Sequence, residues 1–290
     1  MSDKYLLIPH LEILNANAAS TPYIIGFPAM TAWLGMAHAL ERSMRDTDVF
    51  AGVRLPRMAV SCHRCDLQVF RDENNRYDAI IGTRNPLKMK GSEVAVAPFV
   101  ETARCHLDVS LLIEVEGLEE KSFRAFETAA EMKIQRLKAA GGDIISNSGR
   151  RNRCRVYVVE EDDDATRQKL KGRLMPGHVL IDRRDLLAQR EGQDSLDCLL
   201  DVLQGVRPSD GWIVPIAVGF RDLSGKIKVK NQRSYEHEHH FAEPLVSLGE
   251  FIIPYRLSLK EMMWEYRADK AKGLYICHNE GKLAGNVYGG

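Results

Sequence analysis

The chain has 290 residues and balances 40 Lys plus Arg against 40 Asp plus Glu, which excludes a protein that gathers nucleic acid by net charge alone. That length suits one large domain or two small ones with a core that needs no staples, and no apolar run approaches the roughly 20 residues of a membrane helix. Six cysteines, scattered singly apart from Cys62 and Cys65, and the lack of a cationic and apolar leader pattern point to reduced thiols in a cytoplasm.

In chain order, Tyr5 to Leu14 form an apolar strand beginning at about Lys4. Asn15 to Pro28 read as a polar loop, and a helix from about Pro28 to Arg45 places Met30, Trp33, Leu34, Ala37 and Leu40 at helical spacing. A second strand is expected over Arg57 to Phe70, with a phase change near Cys65 to Leu67, and a third over Tyr77 to Ile81 pairing back as a hairpin. Thr83 to Ala103 contain two prolines, a glycine and three early cations and read as an irregular excursion. From Arg104 to Val115, His106, Asp108 and Ser110 alternate with Cys105, Leu107, Val109 and Leu111, so one strand face is polar and the other apolar. A long helix over Glu119 to Ala140 is expected to end at Gly141 and Gly142. Ile144, Ile145 and Val156 to Val159 supply strand material on either side of Arg150, Arg151, Arg153 and Arg155.

Strand, helix, strand, insertion, strand, helix, strand is the ferredoxin-like order, an α+β class with two helices on one sheet face and the other face free to bind. The expected division is a core over 1–160 and a smaller mixed α/β region over 161–290 packed on it. That second region reads as a basic helix or turn over Thr166 to Leu174, a strand at Val179 to Ile181, and helical pieces at Arg184 to Arg190 and Ser195 to Leu203. Further on come a strand at Trp212 to Phe220, a cationic strand carrying Lys226, Lys228 and Lys230, a helix from Ser258 to Arg267, and a last strand at Leu274 to Cys277.

The constellations that carry chemistry are few. Cys62 and Cys65 have half of a zinc spacing, but in a regular strand residues three apart face opposite ways, so no metal is expected there. Glu236 to His240, EHEHH, hold ligand types in a tract that reads more readily as a surface loop. His10, His38, His63 and His106 are general acid or base types without an evident nucleophile. No phosphate loop, dinucleotide fingerprint or serine elbow occurs, and no cofactor is expected.

The ordered set LLIPHLEILNANA, GFPAMTAWLGMAHAL, CHR, TRNPL, ARCHLDVSLLIEV, AGGDII, MPGHVLIDR, GWIVPIAVGF and KGLY, from Leu6 to Tyr275, resembles the Csy-complex subunit of type I-F CRISPR systems that binds the 5′ handle of the guide RNA. This is the type I-F branch of the Cas family numbered five, in the RAMP superfamily. The resemblance implies a ferredoxin-like core with a thumb at Thr83 to Ala103, and a non-catalytic, RNA-binding subunit in the cytoplasm of a prokaryote. The implied partners are the crRNA 5′ handle, the large subunit, the backbone subunits of the complex and target double-stranded DNA, in which guide pairing reads the sequence. The alternative from another class is a RAMP endoribonuclease that processes the precursor RNA with one of the histidines.

A single-stranded handle needs cations for phosphates and amides or hydroxyls for base edges and ribose. The expected RNA site therefore joins Asn15, Asn17 and Ser20 of the loop, Arg84, Asn85, Lys88 and Lys90 of the thumb root, and the flanking Arg64 and Arg104. The cluster Arg150, Arg151, Arg153 and Arg155 is assigned to DNA or partner contact.

Overall fold

The computed structural model describes residues 2–71, 78–81, 87–96, 102–145, 153–188, 194–205, 211–225, 227–232 and 234–281. The first strand, β1 (Asp3–Asn17), is followed by a two-strand hairpin of β2 (Ala19–Thr21) and β3 (Ile24–Ile25), then helix α1 (Met30–Arg45). Next come β4 (Met58–Leu67), the hairpin β5 (Val69–Phe70) and β6 (Ala79–Ile80), the hairpin β7 (Leu87–Lys90) and β8 (Glu93–Val96), and β9 (Arg104–Glu114). Helix α2 (Phe123–Ile134) leads to β10 (Lys138–Ala139), β11 (Gly142–Ile145) and β12 (Arg155–Val159). The rest of the chain adds α3 (Asp164–Leu174), β13 (His178–Asp182), α4 (Asp185–Ala188), α5 (Ser195–Gly205), β14 (Gly211–Asp222), β15 (Ala242–Ile252), α6 (Leu259–Met262), β16 (Trp264–Asp269) and β17 (Leu274–Asn279).

Eleven of these strands form one antiparallel sheet. One edge of β1 is shared by β12 against Asp3 to Leu7 and by β11 against Glu12 to Leu14, and its other edge pairs with β9, which pairs with β4. Beyond β4 the path runs through β13, β15, β14, β17 and β16, and Trp264 of β16 pairs back with Met58 of β4. The second half of the sheet thus closes into a ring.

Two cores follow from the alternation of side chains across the strands. On one face, Leu6, Ile8, Leu11 and Ile13 of β1 and Cys105, Leu107, Val109 and Leu111 of β9 pack with Trp33, Leu34, Ala37 and Leu40 of α1 and with Phe126 and Ala130 of α2. On the other, Tyr5, Leu7, Ala59 and Leu112 meet Leu170 and Leu174 of α3 and Leu259 and Met262 of α6. Burying each such aliphatic side chain contributes roughly 1.5–3 kcal/mol before the entropy of ordering is set against it. The expected free face is therefore half covered, because the chain after β12 supplies its own apolar helices to the end of the sheet where Leu7 and Leu112 lie.

Several local expectations are corrected. Asn15 and Asn17 belong to β1, and the loop after them is the β2–β3 hairpin. The phase change in β4 falls at His63, between Cys62 and Arg64, rather than near Cys65 to Leu67. The excursion contains a regular hairpin, β7–β8, turned at Gly91, whose φ of 68° suits glycine. Helix α2 stops at Ile134, before the expected end, and Ala140 and Gly141, with φ of 48° and 76°, form the two-residue turn of the β10–β11 hairpin instead of a helix end. Lys226 lies outside the described residues, and Ile227 makes only an isolated bridge with His239, so no cationic strand is seen among the described residues.

At the end of the chain, α6 is only four residues long, closed by a capping box between Ser258 and Glu261. Met263 is buried in the second core and Trp264 in the first, and consecutive residues reach opposite faces only in a strand. Of the short strand expected at Tyr77 to Ile81, Tyr77 lies outside the described residues and Ala79 and Ile80 pair back on β5 as a hairpin. The strand over Arg104 to Val115 and the strands at Val179, Trp212 and Leu274 appear where the sequence pattern puts them, and the helix-or-turn at Thr166 to Leu174 is the helix α3.

Candidate nucleic-acid interface

The polar face of β9 organises the site. His106, Asp108 and Ser110 follow one another on that face at about 6.7 Å intervals, and each is met by a bulge in a neighbouring strand. Two residues of β1, Pro9 and His10, stand opposite Ser110, and two more, Leu14 and Asn15, stand opposite His106. In β4 the extra residue is His63. Bulges re-aim side chains, and His10 and Asn15 adopt positive φ, 48° and 57°, which asparagine tolerates better than most residues.

At the open end of this row, Gln68 Nε2 donates to Asn15 Oδ1 at 2.7 Å and lies 3.2 Å from His106 Nε2. The Asn15 backbone N–H donates to His106 Nδ1 at 3.3 Å, and Arg104 Nη1 donates to the Asn15 carbonyl at 3.1 Å. Because Gln68 N donates to the Arg104 carbonyl at 2.9 Å, the excursion between β4 and β9 leaves and returns beside this cluster. Asn15 is exposed and Arg104 and His106 are half-buried, so an amide, a guanidinium and an imidazole reach solvent at the ends of the interior strands β1 and β9.

Farther along β9, the His10 Nδ1 lies 3.1 and 3.2 Å from the two Asp108 carboxylate oxygens. The His10 and His63 rings stack at 4.2 Å with 25° between planes. Ser110 Oγ accepts from the His10 backbone N–H at 3.1 Å and sits 2.7 Å from His63 Nε2. Burial, with the neighbouring His10 second, holds the His63 imidazole below its usual range, against the opposing pull of Asp108.

Of the residues expected at an RNA site, Asn15 and Arg104 come together and Arg64 lies on the same strand array, opposite Asp108 and paired to Asp66 at 3.1 Å. Asn17 and Ser20 do not join them. The Asn17 amide accepts from Ala19 N at 3.1 Å and donates to Ala19 O at 3.2 Å, and Ser20 Oγ donates to the Phe27 carbonyl at 3.2 Å. Both line a groove of about 460 Å³ between α1 and the β10–β11 turn. Arg84 and Asn85 lie outside the described residues, while Lys88 and Lys90 are on β7. Gln68 was missed because a single glutamine at a strand end carries no signal, and Ser110 because only the fold brings two bulges to it.

Arg150 and Arg151 lie outside the described residues. Arg153 and Arg155 are exposed beside Arg124, Glu127 and Glu131 around a cavity of about 300 Å³. There Glu131 accepts from Cys154 N and Glu127 from Val156 N, so carboxylates accompany the cations.

The cysteine geometry is also corrected. The bulge at His63 absorbs a residue, so Cys62 and Cys65 pair with Val109 and Leu107 and share the core face. Burial pushes the Cys62 thiol up to about 12, and a hydrogen bond between Cys65 and Cys105 holds the former down and the latter up. In the EHEHH tract, His240 Nδ1 bonds Asp222 at 2.7 Å and His239 packs edge-on against Phe241. Among the described residues, the one group of three or more metal-ligating side chains is His10, His63 and Asp108.

A family model described as CRISPR-associated protein (Cas_Csy2) matches residues 6–277. The chain is 32% identical over 311 residues to the CRISPR-associated protein Csy2 of Pseudomonas aeruginosa (strain UCBPP-PA14), covering 93% of each chain. On both grounds, this chain belongs to the Csy2 family of CRISPR-associated proteins.

Proposed function

We propose that this protein is a non-catalytic subunit of a type I-F CRISPR surveillance complex, holding the 5′ handle of the crRNA and pairing with the large subunit beside the backbone subunits. The observation that carries the reading is the convergence of Asn15, Gln68, His106 and Arg104 at the root of the excursion between β4 and β9. It supplies a cation for phosphate and amide and imidazole groups for base edges, at the ends of two sheet strands where single-stranded RNA can approach. The strand order β11/β12–β1–β9–β4, with α1 and α2 as the crossovers, supports a ferredoxin-like RAMP core over 1–160, with 161–290 as the region packed on it. Arg84, Asn85, Lys88 and Lys90 of the thumb add contacts to the handle and Arg64 flanks the cluster, while Asn17 and Ser20 hold the hairpin after β1 beside the separate groove at α1. Arg150, Arg151, Arg153 and Arg155 face target DNA or a partner subunit.

The test is crRNA retention by the assembled complex across a salt series. Arg104→Ala should reduce the salt slope by roughly 0.7, one lost phosphate contact on a single strand, and Asn15→Ala should mainly reduce preference for the handle over a scrambled sequence. Arg155→Ala should leave both unchanged. Unchanged retention in the first two variants with loss in Arg155→Ala would move the RNA to the arginine cluster. Metal-independent products from repeat RNA would favour the endoribonuclease reading instead.

A further inference from the structure

We propose that His10, His63 and Asp108 form a binding site for one divalent metal ion of the zinc class, set across β1, β4 and β9. Each residue offers a ligand atom within 4.8 Å of the other two. A tetrahedral ion bonded at about 2.1 Å holds its ligands roughly 3.4 Å apart. The His10 Nδ1 and Asp108 pair already stands at 3.1 Å, so closing the set asks chiefly for the His63 ring to turn out of its stack on His10.

One feature favours a ligand over an ordinary polar surface. Both histidines are presented by bulges in different strands, and His10 does so with a positive φ, so two local irregularities converge on one carboxylate. His63 turns Nε2 toward this cluster, 2.7 Å from Ser110 Oγ, and Nδ1 toward the Gly177 turn.

The donor set selects the ion. Two imidazoles and one carboxylate suit zinc and its transition-metal neighbours, whereas magnesium and calcium call for oxygen ligands. Asp108 is only partly buried and His10 about one-third exposed, so an ion can enter from solvent and a coordination position stays open. Such an ion would tie three adjacent strands together next to the Asn15 and His106 cluster. The arrangement does not depend on the RNA reading above.

The experiment uses the untagged full-length protein, stripped of metal and titrated with zinc by calorimetry, with thermal unfolding as a second readout. One ion per chain and a raised Tm are expected, and Asp108→Asn and His63→Gln should each weaken binding by at least about tenfold. His239→Gln in the EHEHH tract and Cys65→Ser should leave it unchanged. Cobalt bound to the wild-type protein should show a spectrum of nitrogen and oxygen ligands without a thiolate charge-transfer band, a readout that needs no variant to fold. Absence of stoichiometric binding, survival of binding in both ligand variants, its loss in either control, or a thiolate band would each overturn the site.

Discussion

His278, on β17, illustrates what a single buried titratable side chain does to stability. Its Nδ1 is buried without a protein partner, and burial first, then Arg267 and Arg184, hold the imidazole below its ordinary value of 6.5, against Asp182 and Glu265. A depressed folded value means the unfolded chain binds the proton more readily. The contribution of His278 is therefore fully present above about pH 6.5 and is lost as pH falls through the folded value. Thermal unfolding followed from pH 7.5 downward should show a fall in Tm below that point, and His278→Gln should make the fall shallower. Identical slopes in the two proteins would remove His278 as a source of acid sensitivity.

At the scale of elements, close approaches of backbone decide where substitutions are tolerated. The turn that leads from α3 into β13 presses on β4: a Cβ added at Gly177 would stand 2.3 Å from Ser61 Oγ and 2.9 Å from both His63 Nδ1 and the Leu174 carbonyl. Ser61 itself donates to that carbonyl at 2.9 Å, so it cannot move aside freely. By contrast, a Cβ at Gly35 in α1 meets nothing within 4 Å. Gly177→Ala is expected to cost about 1–3 kcal/mol through overpacking. Gly35→Ala is expected to stabilise by about 0.5–1 kcal/mol, since a helix interior favours alanine. Urea unfolding of the two variants beside wild type checks both signs at once.

For the molecule as a whole, the closure of the second half of the sheet rests on Trp264. It is fully buried, pairs with Met58 across β16 and β4, and its indole Nε1 donates to the Leu180 carbonyl at 2.7 Å. The side chain thus joins the first core to β13 as well as closing the ring. Trp264→Phe, which removes the donor and keeps a smaller aromatic ring, should cost about 1–3 kcal/mol. Trp264→Ala, which opens a cavity, should cost about 3–5 kcal/mol. A cost near zero for Trp264→Phe beside a large cost for Trp264→Ala, measured by denaturant unfolding, would mean that the hydrogen bond contributes nothing and packing alone closes the ring.

The sequence by itself determined the elements whose periodicity is strong and local. In α1 the apolar residues recur at helical spacing and are buried, and β9 alternates polar and apolar residues from Arg104 to Leu111. Those patterns arise from a single solvent boundary along one element, so neighbours in sequence suffice to read them. What tertiary structure alone decided lies where a residue answers to distant strands. The bulges at His10, Asn15 and His63 are set by register against β9, and a one-residue slip reverses every facing, which is why Cys62 and Cys65 share a face against expectation. Met262 to Trp264 read as helical by spacing, yet they serve two cores on opposite sides of the sheet. His10, His63 and Asp108 are separated by 53 and 45 positions in the chain, and only antiparallel pairing with β9 brings them within reach of one ion.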